Sequence, residues 1–278
     1  MGFINSLLAH PLTKKLSVDD PKTTEIRYKI IQSKPFLRAV YQDWYSLIIR
    51  DLSNSEDVLE IGSGAGFLKQ QLPNLFTSEV MEVKNVDLVA DATQLPFPNQ
   101  SLDAIVMTDV LHHLPNPINF FYEAARSLRI GGKILMIEPW PTPWSEFVYK
   151  NFHSEPFNKD GDWTIPKSGP LSGANGALPW ILFNRDQAKF EETFPQLKIT
   201  KVDLLMPFSY LMSGGVSLRF SAPRFLYALS RYIESKLKQQ RWAMFAYVEI
   251  KLLPVKGPLV LQPAFPKADL SEALKISG

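Results

Sequence analysis

The sequence predicts an α/β fold: a doubly wound, mostly parallel sheet of seven strands, with helices before it and a long aromatic-rich insertion within it. Three observations support this prediction. Seven short apolar segments are spaced along the chain. Several of them are separated by segments whose apolar residues recur every three or four positions, the period of a helix. The first, VLEI, runs directly into GSGAG, which is typical of a strand-to-helix turn that binds a ligand. Strands that alternate with helices favour parallel pairing.

The individual elements follow from local patterns. Residues 21–52 keep a helical period on either side of Pro35 and predict two lead-in helices. Strands are predicted, in order, in DVLEIG, LFTSEV, NVDLVADA, SLDAIV, KILMIEPW, LKITKVDLLM and WAMFAYVEIKLL. Helices are predicted in FLKQQLPN, in PINFFYEAARSLRI, in NRDQAKFEETF and in RFLYALSRYIESKLKQQ.

The 278 residues are expected to form one elaborated domain. We divide the chain into a helical lead-in (1–52), the main domain (53–254) and a tail (255–278). Within the main domain, residues 139–182 are rich in Trp, Pro and Gly and predict an excursion with little regular structure, which would act as a lid or bind a substrate. Residues 219–241 predict a basic amphipathic helix.

Composition excludes several classes of function. The chain has 30 Lys and Arg against 28 Asp and Glu, so its overall charge gives no reason to expect a nucleic-acid partner. It has no cysteine, which rules out disulfides, thiolate metal sites and cysteine nucleophiles. No apolar run approaches the ~18 residues that span a bilayer. We therefore expect a soluble, cytoplasmic protein.

The glycines of VLEIGSGAGFL (58–68) indicate a ligand that passes close to the backbone, because side chains are missing at alternate positions. A dinucleotide-binding turn more often shows GxGxxG, and the GK[ST] ending of a phosphate-binding loop is absent. An ordinary tight turn is the alternative.

Four segments between residues 56 and 139 together resemble the class I S-adenosylmethionine-dependent methyltransferases of the type 11 family. They are VLEIGSGAG, DATQLPFPNQSLDAIV, TDVLHHL and EAARSLRIGGKILMIEP, in the family's order and spacing. The resemblance implies a Rossmann-like methyltransferase fold and S-adenosylmethionine as cofactor. A nicotinamide-dependent oxidoreductase is disfavoured, because the spacing is GxGxG and no Tyr-x-x-x-Lys pair lies near the expected crevice.

The resemblance also implies roles for individual residues. Glu60 would face the amino group of the cofactor, and an acidic residue at the end of the second strand would bind the ribose. Glu79 is favoured over Glu82 because it directly follows the apolar stretch, whereas Asp91 could bind adenine or only form a turn. The predicted cofactor site comprises Glu60, Gly62, Ser63, Gly64, Gly66, Glu79, Asp91, Ala92 and Thr108. The chain departs from the family pattern at one place. Only 11 residues separate Glu79 from Asp91, which is too few for the helix that usually joins the second and third strands.

Candidates for a catalytic base follow the fourth strand, where the methyl group would emerge. They are Asp109, His112 and His113, with Glu138 and His153 as further candidates. Since adjacent histidines do not easily point the same way, at most one is expected to meet a substrate, and both could instead be structural. No metal is predicted, because no carboxylate lies near the histidines at ligand spacing.

The sequence indicates the methyl acceptor less specifically than it indicates the cofactor. The aromatic faces of Trp140, Trp144, Trp163 and Trp180 could line a pocket or only pin the excursion to the domain. The segment SGPLSGANGALPW could cradle an anion with backbone N–H groups or form a lid.

Residues 219–256 carry eight basic and two acidic residues, and this excess of six suggests peripheral contact with an anionic membrane. The alternative is a solvated helix whose apolar side packs on the sheet.

We therefore expect a methyltransferase acting on a hydroxyl or other nucleophile of a small, partly apolar metabolite or lipid-linked glycan. The alternative is a non-catalytic cofactor-binding module that holds a partner protein.

Overall fold

The computed structural model describes residues 10–12, 16–53, 55–153, 155–166, 169 and 171–254. The predicted tail at 255–278 lies outside this part of the chain. Seven strands form one sheet: β1 (Val58–Ile61), β2 (Phe76–Glu79), β3 (Leu88–Val89), β4 (Leu102–Thr108), β5 (Leu128–Pro139), β6 (Leu197–Leu205) and β7 (Phe245–Leu252). Their order is β3-β2-β1-β4-β5-β7-β6, and β7 runs antiparallel to the other six strands. The predicted fold class is confirmed.

Helices cover both faces of the sheet. Helices α1 (Pro21–Ser33) and α2 (Pro35–Asp51) form where the periodicity predicts them, and each begins with a proline, whose fixed φ suits the first helical position. Helix α2 packs on one face through buried Trp44 and Tyr45. Helix α3 (Pro117–Ser127) packs on the other face through Phe120 and Phe121. None of the helices in the described residues is long and apolar enough to cross a membrane.

The excursion has more regular structure than its composition predicts. Helix α4 (Pro143–Phe152) occupies its first part and begins with a capping box, in which Thr142 and Ser145 satisfy each other's backbone N–H groups. A short helix, α5 (Leu178–Trp180), follows the loop and continues as a wide turn over Ile181–Arg185. The prediction of an irregular segment was wrong at 143–152, because the helix-starting residues outweigh the Trp and Pro content. Helix α6 (Gln187–Thr193) leads into β6.

The predicted basic helix at 219–241 is divided. Helix α7 (Ser209–Ser213) precedes it, and the segment itself forms α8 (Leu226–Glu234) and α9 (Gln239–Trp242). Helix α8 buries Tyr227, Ser230 and Glu234, and the Glu234 carboxylate accepts the N–H groups of Phe208 and Ser209. Phe225, Leu229, Tyr232 and Ile233 remain exposed. The alternative, in which the apolar side of the helix packs on the sheet, therefore does not hold for these four side chains.

The connections near β2 are short. A single turn of 3-10 helix (Leu68–Gln70) joins β1 to β2, and residues 80–87 between β2 and β3 contain no helix. The predicted loop in place of a helix is confirmed. The ion pair between Lys69 and Asp87 joins the two connections.

Candidate active site

A cavity of about 420 Å³ opens at the carboxyl ends of β1, β2, β4 and β5. In a doubly wound sheet this edge holds the ligand, because parallel strands all end there. One side of the cavity is lined by predicted cofactor residues, namely Gly62, Glu79, Asp91, Ala92 and Thr108. The other side is lined by Asp109, His113, His153 and Glu155. Thr24 and Arg27 of α1 also line it, so the lead-in helices contribute to the site.

The glycine turn is packed tightly under its neighbours. Gly62 has φ of +70°, and a Cβ atom there would lie 2.5 Å from Val110. A Cβ on Gly64 would lie 2.5 Å from Thr24 and 2.9 Å from a Glu79 carboxylate oxygen. These glycines are therefore required by the protein's own packing, as well as by any ligand that passes them.

Glu79 occupies the position that sequence reasoning favours. Strand β2 ends there, and its buried carboxylate accepts the N–H groups of Gly64 (3.2 Å) and Val80 (3.0 Å). Burial raises the pKa of Glu79, although both hydrogen bonds act in the opposite direction. Glu82, the alternative, is exposed and does not line the cavity.

The remaining predicted cofactor residues divide between two cavities. Glu60, Ser63, Gly64 and Gly66 line a second cavity on the far side of the glycine turn. Burial and the charge of Glu79 raise the pKa of Glu60 to about 8. On the first side, the Asp91 carboxylate accepts the N–H of Thr93 at 2.8 Å, so Asp91 forms a turn and also lines the cavity.

The raised pKa of Glu60 predicts a pH-dependent stability. The folded protein keeps this proton up to about pH 8, whereas the unfolded chain releases it near pH ~4.3. Because the folded state then binds more protons, the free energy of unfolding falls as pH rises between these values. We expect the melting temperature of the ligand-free protein to fall between pH 6 and pH 8, and to fall less in Glu60→Gln. Parallel melting curves for the two proteins across this range would contradict the prediction.

Asp109 and His113 reach the cavity from the loop after β4. Asp109 has φ of +64°, and its N–H donates to the Ile137 carbonyl at 2.8 Å. Burial raises its pKa to about 6. His113 places Nδ1 3.0 Å from the Gly173 carbonyl, and burial with the neighbouring His112 lowers its pKa to about 4.

His112 is turned away from the cavity and lies between two carboxylates. Its Nδ1 is 2.7 Å from Glu138, whose other oxygen accepts the N–H groups of Val110 and Leu111. Its Nε2 is 3.6 Å from Glu155. Although burial opposes it, the hydrogen bond to Glu138 raises the pKa of His112 well above its usual range. His112 and Glu138 therefore do not line the cavity, and Glu138 is a buried acceptor.

Glu155 was not predicted from the sequence. The loop after α4 brings it to the cavity, although 43 positions separate it from His112. The expectation that no carboxylate lies at ligand spacing from the histidines is therefore wrong. The only local signal is its place two residues after His153, a candidate base. The rings of His112 and His113 also lie side by side, with centroids 4.2 Å apart, but only His113 lines the cavity.

The four tryptophans of the excursion do not line the cavity. Trp140 and Trp163 are buried in the core, and the indole N–H groups of Trp163 and Trp144 donate to Asp186 and to the Pro207 carbonyl. The pinning alternative is therefore supported. The predicted anion cradle holds a group of the protein itself, because the N–H groups of Leu171 and Ser172 donate to the Asp19 carboxylate.

Comparisons with known proteins agree with this geometry. A family model described as a methyltransferase domain, of type 11, matches residues 59–136. The chain is 32% identical over 114 residues to the chloroplastic 2-methyl-6-phytyl-1,4-hydroquinone methyltransferase of Arabidopsis thaliana, covering 34% of each chain. It is 40% identical over 47 residues to the 27-O-demethylrifamycin SV methyltransferase of Amycolatopsis mediterranei, covering 17% of each. The chain thus spans about a third or less of these two relatives.

Among solved structures, a chain from the complex between the Haloferax volcanii Trm112 methyltransferase activator and a methyltransferase is similar. Its TM-score is 0.50 at 13% identity, and the match covers 87% of this chain and 100% of that one. This likeness supports the fold. The family match over residues 59–136, from the glycine turn into β5, supports a class I S-adenosylmethionine-dependent methyltransferase domain in this part of the chain.

Proposed function

We propose that the protein transfers the methyl group of S-adenosylmethionine to a hydroxyl or other nucleophile of a small, partly apolar acceptor. The observation that carries this proposal is the single cavity shared by Gly62, Glu79 and Asp91 on one side and by Asp109 and His113 on the other. A cofactor over the glycine turn would direct its methyl group toward the end of β4. The protein's main contribution is then to align the acceptor and exclude water.

In this proposal Glu79 binds the ribose hydroxyls, while Asp91 and the backbone of Ala92 bind adenine. Glu79 is suited to the role because its carboxylate is held by two backbone N–H groups and lines the cavity. Thr108 borders the cavity at the end of β4. For Glu60, a bound ammonium group would favour the ionised carboxylate, so cofactor binding there would release a proton.

We assign the base to Asp109. It lines the cavity, and its pKa of about 6 leaves it mostly ionised at neutral pH while keeping it a better proton acceptor than an ordinary aspartate. His113, with a pKa of about 4, is a weaker base. During transfer the acceptor O–H would lose its proton to Asp109, the oxygen would bond to the methyl carbon, and the carbon–sulfur bond of the cofactor would break.

The acceptor side of the cavity suits an apolar or aromatic molecule. Tyr41, Tyr149, Tyr210, Phe157 and Phe245 all line it. The name of the Arabidopsis thaliana relative specifies a hydroquinone with a phytyl chain, which has this mixed character. We propose that residues 139–182 shape this acceptor side, because His153, Glu155 and Phe157 belong to that segment.

We further propose that the surface around α8 contacts an anionic membrane, which would admit a lipid-linked acceptor. Phe225, Leu229 and Tyr232 lie on one side of the helix and are 79%, 54% and 63% exposed. Arg224 and Lys236 lie beside them, over the rings of Tyr227 and Tyr232. Lys238 and Arg241 add positive charge. Apolar side chains flanked by basic ones suit insertion among anionic headgroups.

The membrane proposal predicts flotation with anionic vesicles. The protein should float with vesicles that contain phosphatidylserine but not with pure phosphatidylcholine, and salt should weaken the binding. Leu229→Asp should abolish flotation, because it places a charge among the exposed apolar side chains. Ile130→Asp is the matched control, since Ile130 is similarly exposed (47%) at the amino end of β5. Equal flotation of both variants would contradict the proposal.

The proposed reaction is tested in two steps. Calorimetry should show saturable binding of S-adenosylmethionine, competition by S-adenosylhomocysteine, and no binding of NAD. Incubation with cofactor carrying an isotopically labelled methyl group and a panel of quinols, phenols and lipid-linked glycans should then yield a labelled product. Cofactor binding without any product would favour the non-catalytic module that holds a partner. Failure to bind the cofactor would overturn the proposal.

A further inference from the structure

Two histidines and a glutamate converge at the acceptor end of the cavity. One ring nitrogen of His112, one of His113 and one carboxylate oxygen of Glu155 all lie within 4.8 Å of one another. His113 and Glu155 line the cavity, whereas His112 is 1% exposed and lies behind them, outside the lining. The cluster is therefore both buried enough to hold a ligand firmly and open on the side of the substrate.

Both imidazole rings are oriented by acceptors on their Nδ1 side. His113 Nδ1 is 3.0 Å from the Gly173 carbonyl, which can only accept, so this nitrogen carries the proton. His112 Nδ1 is 2.7 Å from Glu138, a carboxylate whose other oxygen already accepts two backbone N–H groups. With Nδ1 protonated, the Nε2 atom of each ring has a lone pair that could bind a metal ion. This arrangement, a histidine backed by a carboxylate or a carbonyl, is the usual surrounding of histidines that bind metals.

The distance between the Nε2 atom of His112 and the carboxylate of Glu155 also suits a bound cation. His112 Nε2 and Glu155 Oε2 are 3.6 Å apart, which is too long for a good hydrogen bond. Two ligands at ~2.0 to 2.1 Å from one tetrahedral ion lie about 3.4 Å apart. A small closing movement of the Glu155 loop would therefore bring both atoms into the coordination sphere.

We propose that His112, His113 and Glu155 bind a divalent cation of the zinc class, with its remaining positions facing the cavity. Two imidazoles and one carboxylate favour such an ion over magnesium, which prefers oxygen ligands. The open positions would take an oxygen of the acceptor and make its proton easier to remove. This role of the cation in activating the acceptor rests on the proposed methyl transfer. It restricts the acceptor to molecules with an oxygen that can bind a metal.

The competing arrangement is a protonated His112 that simply bridges Glu138 and Glu155. The two arrangements differ in one measurable respect, because only the proposed metal site binds a cation. The full chain, treated with a chelator and dialysed, is titrated with Zn²⁺ by calorimetry and with Co²⁺ by visible absorption, with neither cofactor nor acceptor present. We expect one cation per chain, and Co²⁺ bands typical of mixed nitrogen and oxygen ligands.

Substitutions of the proposed ligands test whether the bound cation lies at this site. Glu155→Gln and His113→Gln should each weaken Zn²⁺ binding by at least about 10- to 100-fold. Glu191→Gln is the matched control, since Glu191 pairs with Lys198 on the surface of α6, and it should bind as the wild type does. Melting curves without metal check that each variant folds.

The absence of saturable binding, or equal binding by Glu155→Gln, His113→Gln and the wild type, would overturn the inference. Methyl transfer at full rate by the chelator-treated protein would exclude the role in the reaction while leaving the proposed function intact. Conversely, Zn²⁺ binding in a protein that fails to bind S-adenosylmethionine would overturn the proposed function and leave the metal site standing.

Discussion

Glu79→Gln should weaken the binding of S-adenosylmethionine by roughly 30- to 150-fold. The substitution removes the charge that would bind the ribose hydroxyls, and losing a charged hydrogen-bond acceptor costs about 2 to 3 kcal/mol. In the wild type, the N–H groups of Gly64 and Val80 each donate to a different carboxylate oxygen of Glu79. The glutamine side chain offers only one oxygen for both. The dissociation constant is measured by calorimetry.

Glu82→Gln is the control for this experiment, because Glu82 is a nearby glutamate that is exposed and lies outside the cavity. It should leave the affinity unchanged. If the two variants bound the cofactor equally well, Glu79 would not be the ribose ligand. The comparison therefore tests directly the choice between the two glutamates that the sequence leaves open. A melting curve of ligand-free Glu79→Gln separates loss of binding from loss of folding.

Asp109→Asn should lower kcat by about 10²- to 10⁴-fold, the usual contribution of a general base. Asparagine is nearly the same size and tolerates the positive φ of this position, so the loop should keep its shape. The affinity for S-adenosylmethionine should change little. The measurement is the rate of S-adenosylhomocysteine formation at saturating cofactor and acceptor.

Asp160→Asn, an exposed change in the loop after α4, is the matched control and should keep the wild-type rate. A rate for Asp109→Asn within a few-fold of the wild type would exclude Asp109 as the base. The reaction would then depend on alignment alone, as it does for acceptors that are already ionised.

Several parts of the site could be predicted from local sequence. The step from VLEI into GSGAG predicts a strand and a glycine turn, and Gly62 does adopt a positive φ there. The end of β2 at Glu79 could be located from the apolar stretch that precedes it. The missing helix after β2 follows from chain length, since 11 residues cannot hold a helix and two connections.

Other parts could not be predicted from local patterns. Glu155 reaches His112 only because α4 and the loop after it return the chain to the sheet edge. The sequence also left open whether the apolar side of α8 is exposed or packs on the sheet, since periodicity identifies an apolar stripe but not the surface that it faces. In the structure the buried side is mixed: Tyr227 packs against Phe36, and the Glu234 carboxylate accepts the N–H groups of Phe208 and Ser209.

The sequence by itself therefore determined the alternation of strands and helices, the glycine turn and the chemical types gathered at the carboxyl edge of the sheet. These depend on short-range preferences, which a few neighbouring residues set. Only the tertiary structure decided that Asp109, His113 and Glu155 share one cavity, that His112 and the four tryptophans lie outside it, and that Asp19 fills the predicted anion cradle. Such contacts depend on the paths of loops between distant residues, and packing selects those paths after the local elements have formed.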